Sequence, residues 1–177
     1  ARYSAQLGRR FELPHEDIVA LERSGFLHDI GKVAVPDAIL LKRGPLTEEE
    51  MAVMRQHPIA GEAICRGLKS FARVIPIIRH HHEWYNGSGY PDRLIGDEIP
   101  KLARILHVAD AFEAMTAARP YRMTPLTTEQ ALGELRKFAG VQFDPVVVDA
   151  FLTLLEQEGE SFISNGQKFD IYAFIEG

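Results

Sequence analysis

The sequence predicts an all-α domain, a helical bundle carrying a small β-hairpin at its C-terminus. Three observations predict it. Apolar residues recur at helical spacing along most of the chain, helix-start signals punctuate that pattern, and the last twenty residues switch to short runs around Asn165-Gly166. With 177 residues and 46% hydrophobic content, one compact unit with its own core is expected and disorder is excluded. The single Cys65 excludes a disulfide scaffold and fits a reducing compartment.

Each element follows from local signals. Ala1 to Gly8 reads as mid-helix without an initiator Met, which predicts a fragment whose upstream part is missing. Leu13 to Leu27 carries Ile18, Leu21 and Phe26 at helical spacing behind Pro14 and an acidic first turn of Glu16 and Asp17. Thr47 with Glu50 is a capping-box pattern that opens a helix toward His57, where Pro58 forces a break or a new start. Ser70 to His82 reads as another helix, kinked at Pro76. Glu83 to Pro100, with three glycines and two prolines, is a long ordered loop, and loops of that length inside a compact domain are usually functional. Lys101 to Thr116 resumes as helix, Thr127 with Gln130 caps the next, and Asp144-Pro145 is an N-cap followed by proline at the first helical position. The expected division is a main domain over 1–157 and a hairpin extension over 158–177.

Charge excludes several functions. Twenty Lys and Arg against 25 Asp and Glu give a net charge of −5, which argues against binding a nucleic-acid polymer through a basic stripe. No run approaches the roughly 20 apolar residues that cross a bilayer, and no signal peptide opens the chain, so no membrane contact and a cytoplasmic location are expected.

The seven histidines are the compositional oddity. His28-Asp29 sits at a predicted helix end. Neighbours on a helix point about 100° apart, so the two share a centre only if it lies off the helix terminus. By itself such a pair reads as structural. His57-Pro58 closes its predicted helix, His80-His81-His82-Glu83 leads into the Gly-rich loop, and Asp110 falls on the face of Leu106 and Ala103, aimed inward. A buried carboxylate needs a partner, and a metal ion is one of the few good ones. Together these residues point to a nitrogen/oxygen metal site. Without thiolates, such a set suits iron, manganese, nickel or catalytic zinc rather than Cys-type structural zinc. Several ligands with one bridging carboxylate suit two metals, the arrangement that commonly serves phosphoester hydrolysis.

In this order the residues resemble the HD-GYP family of cyclic di-GMP phosphodiesterases, a branch of the HD metal-dependent phosphohydrolases. The matching stretches are Leu27-His-Asp-Ile-Gly-Lys32, His57-Pro58, His81-His-Glu83, Asn86-Gly-Ser-Gly-Tyr-Pro91, Val108-Ala-Asp110, Arg119-Pro-Tyr-Arg122 and Gln142-Phe-Asp-Pro145. They span Leu27 to Phe151. The resemblance implies an HD-type helical bundle with metal ligands at His28, Asp29, His57, His81, His82 and Asp110. It makes Asp29 the metal-bridging catalytic carboxylate and sets Lys32 on the scissile phosphate. Arg119 and Arg122 would hold the substrate's phosphates, and Tyr90 and Pro91 would shape the site or a partner surface. Two divalent ions are implied, Fe or Mn first and Ni or Zn as alternatives, and a third site depends on a segment before Ala1. The implied reaction opens cyclic di-GMP to linear pGpG, with GMP as an open further product, and the resemblance implies an upstream regulatory domain, a receiver or sensor, before Ala1. Implied partners are that dinucleotide and, through the Gly-Tyr-Pro loop, diguanylate cyclase-type or other signalling proteins, with a homodimer left open. Two positions depart from the family: Trp84 stands where Arg is usual, and Asn86 where Asp is common.

Other residues carry weaker signals. His80 reads as an outer or surface residue, His107 as structural, His15 as solvated and Cys65 as core. Glu83 reads either as an acceptor orienting an imidazole or as a solvent-facing acid. Trp84, the single tryptophan, reads either as packing beneath the loop or as a stacking face for guanine. Two other functions compete with the phosphodiesterase: a weakly catalytic or non-catalytic module that binds the dinucleotide and docks partners, and a general HD nucleotidase acting on mononucleotides.

Overall fold

The computed structural model describes residues 1–117 and 125–158. Among these, the regular elements are α-helices and short 3-10 turns: α1 (Arg2–Arg10), α2 (His15–Leu27), α3 (Asp37–Leu40), α4 (Glu48–Met54), α5 (His57–Cys65), α6 (Ile75–His80), α7 (Lys101–Thr116), α8 (Thr128–Lys137) and α9 (Pro145–Glu158). The only β features among the described residues are two isolated bridges, Asn86 with Ile95 and Ala139 with Phe143. The expected C-terminal hairpin lies outside the described residues, as do Arg119 and Arg122. No described helix is long and apolar enough to cross a membrane.

The predicted start signals work as written. Thr47 Oγ1 accepts from the Glu50 amide (3.3 Å) while the Glu50 carboxylate accepts from the Thr47 amide (2.7 Å), opening α4. Thr127 and Gln130 repeat that exchange at α8. Asp144 Oδ1 accepts from the Val146 amide (2.8 Å), capping α9 ahead of Pro145. Each such cap satisfies a donor that the helix itself leaves unpaired.

Two expectations are corrected. Ser70 to His82 is not one kinked helix: a 3-10 turn at Lys69–Phe71 precedes α6, which begins at Ile75 with Pro76 in its first turn. A proline lacks the amide that a helix interior must donate, so it starts the helix here rather than bending it. For the same reason His57 opens α5, with Pro58 beside it, and does not close α4.

Helix α7 is the spine. On one side Ile105, Val108 and Phe112 meet Leu7 of α1, Leu21 of α2, Leu135 of α8 and Phe151 of α9. Phe112 and Phe151 are fully buried and pack edge to face at 5.0 Å, each contributing about 1.5–3 kcal/mol through burial. On its other side Leu106 meets Ala20, Cys65, Ile77 and Ile78, so Cys65 is core, as expected. This second cluster sits beneath the histidines. It fixes the ends of α2, α5 and α6, and with them the side chains those ends carry.

Candidate metal centre

The centre forms where helix termini converge. Helix α2 stops at Leu27; His28 caps it, and Asp29 stands before the 3-10 turn Ile30–Ala34. That turn lies directly on α5 because Gly31 has no side chain: a Cβ there would fall 1.9 Å from the His57 carbonyl oxygen. His81 and His82 follow the end of α6, and Asp110 projects from α7.

Asp29, His57, His81 and His82 place ligand atoms all within 4.8 Å of one another. His28 and Asp110 complete the set, with His28 Nε2 3.5 Å from Asp110 Oδ1 and 3.6 Å from Asp29 Oδ2. Asp29 stands between the two groups: Oδ1 faces His57 Nε2 at 3.4 Å and Oδ2 faces His28. Lys32 Nζ donates to Oδ2 at 2.6 Å. All six residues expected as ligands are therefore brought together, with Lys32 beside them.

Three histidines are oriented by backbone carbonyls. Nδ1 of His28 bonds Ser24 O at 3.1 Å, Nδ1 of His57 bonds Met54 O at 2.8 Å, and Nδ1 of His81 bonds Ile78 O at 2.7 Å. A carbonyl only accepts, so these bonds assign the proton to Nδ1 and leave Nε2 bare in each neutral ring. His57 Nε2 and His81 Nε2 then face one another at 3.3 Å as two lone pairs. That arrangement is repulsive for the protein alone and attractive around a cation, so the donor set fits a divalent metal.

The charges agree. Burial holds the His81 pKa well below the usual imidazole value, with the charges of His82 and His28 adding to the effect. Burial, with His107 and His57 nearby, brings His82 down to about 3. Both rings are neutral at pH 7, the form in which an imidazole can bind a cation. Burial alone would raise Asp29, but the facing His57 ring, the charge of His28 and the hydrogen bond and charge of Lys32 hold it far below the carboxylate range. Burial opposes a charged His28 as well; Asp110 and Asp29 outweigh it and raise its pKa.

The Gly-rich loop is built onto this centre. Tyr90 stacks on His82, ring centroids 4.9 Å apart at 26°, and its amide donates to His82 O (3.2 Å). Gly89 permits the fold-back, since a Cβ there would lie 2.1 Å from the Trp84 nitrogen. Asn86 Oδ1 accepts from the Ser88 amide (3.0 Å) and hydroxyl (2.6 Å), bonds that a carboxylate oxygen would also accept. The departure from Asp therefore leaves this turn intact.

Glu83 has a role the sequence did not disclose. It is 1% exposed and neither orients an imidazole by its carboxylate nor faces solvent. The carboxylate accepts three consecutive amides, Asp92 (2.6 Å) and Arg93 (3.1 Å) on Oε1 and Leu94 (3.1 Å) on Oε2. Backbone donors leave no sequence signature, so only its place in His-His-Glu hinted at importance. Arg79 adds a bidentate pair to Asp92 at 2.7 and 2.8 Å. His80 lies 3.3 Å from the same Asp92, away from the ligands. His107 is structural, as expected: Nδ1 donates to Glu83 O (3.0 Å) and Nε2 meets the Gln142 amide (3.1 Å). Gln142 O and Val141 O also accept from the amides of Tyr85 and Asn86, so the Gln142-Phe-Asp-Pro145 stretch backs the loop. His15 is exposed.

Two openings flank the centre, one lined by its residues and one on the far side of Tyr90. A cavity of about 210 Å³ is lined by His28, Asp29, Asp110 and Glu113. A cleft of about 670 Å³ runs between the α4–α5 junction and the loop, where Arg55, Gln56, Trp84, Tyr90 and Arg93 line it. Arg55 and Arg93 carried no motif and were not anticipated; the only signal for Arg55 is that it precedes Gln56-His57.

This bundle, with histidine and aspartate ligands gathered at helix ends, defines a metal-binding helical domain. Residues 1–147 match the HD domain family model, and the chain belongs to that family, in the HD-GYP branch its motifs resemble. Over 142 residues it is 47% identical to a cyclic di-GMP phosphodiesterase response regulator, RpfG, of Xanthomonas campestris pv. campestris, covering 79% of this chain and 37% of that protein. It is 40% identical to a 3′3′-cGAMP-specific phosphodiesterase 2 of Vibrio cholerae, covering 86% of this chain and 29% of that one. It also resembles the crystal structure of a cyclic GMP-AMP-specific phosphodiesterase of V. cholerae, with a TM-score of 0.71 over 99% of this chain and 47% of the other at 21% identity, a likeness of fold. The chain thus spans less than half the length of each of these relatives.

Proposed function

We propose that the chain is a metal-dependent phosphodiesterase domain that hydrolyses cyclic di-GMP to linear pGpG. The observation that carries this reading is the pair of bare nitrogens of His57 and His81, 3.3 Å apart, with both Asp29 oxygens shared between two groups of ligands. We assign two divalent ions, Fe or Mn: one among His57, His81, His82 and Asp29, the other between His28, Asp110 and Asp29. When bound, the ions supply Lewis-acid activation of water and neutralise charge on the phosphoryl group.

The chain's own residues do the rest. Asp29 holds both ligand groups in register, and its depressed pKa keeps it an acceptor throughout the working pH range. Lys32, anchored on Asp29, sets an ammonium where the charge on a phosphodiester grows toward the transition state. Tyr90 packs His82 and separates the centre from the larger cleft. Arg119 and Arg122 are proposed as phosphate clamps from their motif. The relatives' names, cyclic di-GMP and 3′3′-cGAMP phosphodiesterases, support a cyclic dinucleotide over a mononucleotide.

The test is product analysis. Protein loaded with Mn²⁺ or Fe²⁺ is expected to convert cyclic di-GMP to pGpG, and Asp29→Asn to abolish it. Tight dinucleotide binding with no turnover, unchanged by Asp29→Asn, would favour the signalling module instead. Preferential hydrolysis of GTP would favour a mononucleotidase.

A further inference from the structure

The 670 Å³ cleft has a composition that the metal chemistry does not use. Two guanidiniums, Arg55 and Arg93, line it, and neither has a carboxylate within ion-pair distance among the described residues. Elsewhere Arg9, Arg66, Arg73, Arg79, Arg104 and Arg136 carry acid partners, while Arg10, Arg23 and Arg43 likewise have none within that distance among the described residues. Arg55 and Arg93 differ in sharing one cleft with the single tryptophan and with Tyr90, which gathers positive charge beside aromatic faces in a chain of net charge −5. Arg55 contacts the Tyr90 ring, 5.9 Å from its centroid, and Tyr90 in turn stacks on His82, so the cleft and the metal centre share a wall.

Arg93 is also held in an uncommon conformation. Its φ of 57° lies in the left-handed region that a long side chain seldom adopts. The buried Glu83 carboxylate fixes it there by accepting the Arg93 amide and both neighbouring amides. Backbone held against its preference and over-determined by a buried anchor is characteristic of ligand clamps.

We propose that this cleft seats one guanine base of the dinucleotide, with Trp84 as its stacking face and Arg55 and Arg93 as donors to O6 and N7. Guanine presents two acceptors on that edge, where adenine pairs an acceptor with an amine donor, so a pair of arginines selects guanine. This rests on the phosphodiesterase reading, since the phosphate must reach the centre next door, but the base seat is measurable on its own.

Because Trp84 is the single tryptophan, intrinsic fluorescence reports the seat directly. GMP, AMP and ribose 5-phosphate are titrated into the Mn²⁺-loaded protein. GMP is expected to quench to saturation at roughly tenfold lower concentration than AMP, as one lost bidentate contact implies, while ribose 5-phosphate leaves the signal unchanged. Arg93→Ala should weaken GMP about tenfold, and Trp84→Ala, followed by calorimetry, by a similar factor, with Trp84→Phe restoring most of the binding. In turnover, Trp84→Ala and Arg93→Ala should each raise KM for cyclic di-GMP more than KM for bis(p-nitrophenyl) phosphate, which has no guanine. Equal quenching by GMP and ribose 5-phosphate, or GMP affinity unaffected by Arg93→Ala and Trp84→Ala, would overturn the seat. Guanine-selective quenching in a protein that hydrolyses neither diester would keep the seat and reject the phosphodiesterase reading.

Discussion

Gly31 and His57 meet backbone to backbone, leaving no room for a Cβ, which would sit 1.9 Å from the His57 carbonyl oxygen and 2.5 Å from the Gly61 nitrogen. This contact ties the segment carrying His28 and Asp29 to the helix carrying His57. Gly31→Ala must push the two apart, costing about 1–3 kcal/mol or more. The expected result is a lower Tm together with weaker metal binding, read by thermal unfolding with and without Mn²⁺.

In the proposed reaction Lys32 acts on charge that develops on the phosphodiester. Lys32→Ala is expected to lower kcat about a hundredfold, with metal content unchanged. Steady-state kinetics with cyclic di-GMP, beside elemental analysis of the variant, separates this from loss of the centre.

Glu83 holds the loop by three amides. Glu83→Ala removes the charged acceptor shared by three half-buried hydrogen bonds and should destabilise the protein by about 1–3 kcal/mol. Denaturant unfolding measures the loss. His28 and Asp110 lie apart from the loop, so metal affinity should fall less than in His57→Ala.

Acid should weaken the metal-free fold through His107. Burial lowers its pKa to about 4, against an unfolded value near 6.5. Between those values the unfolded chain binds the proton and the folded chain does not. Stability is therefore full above about pH 6.5 and falls as pH drops toward 4. His81 and His82, depressed in the same direction, add to the slope. Tm measured in chelator across this range should fall with pH, and His107→Gln should flatten part of the fall.

How much of this was legible in the sequence depends on where the partners lie. Helix α7 was predicted over its full span, Lys101 to Thr116, because its apolar face is continuous and Pro100 marks its start. The capping pairs at Thr47 and Thr127 were legible because both members of each lie within one turn. The break before α6 was not: periodicity does not distinguish a proline that kinks a helix from one that begins it. The residues proposed as ligands were legible as an ordered motif, and their convergence required the Gly31 contact, which no spacing reveals. Glu83 and Arg93 were illegible in their roles because one binds backbone and the other is placed by backbone.

The central claim is a metal centre that performs hydrolysis. Its most direct measurement is pGpG release from cyclic di-GMP by chelator-stripped protein as Mn²⁺ is titrated back. The account predicts no turnover without metal and a rise that saturates near two ions per chain, absent in His57→Ala and Asp29→Asn. Turnover by the stripped protein, or none at any metal ratio, would contradict it.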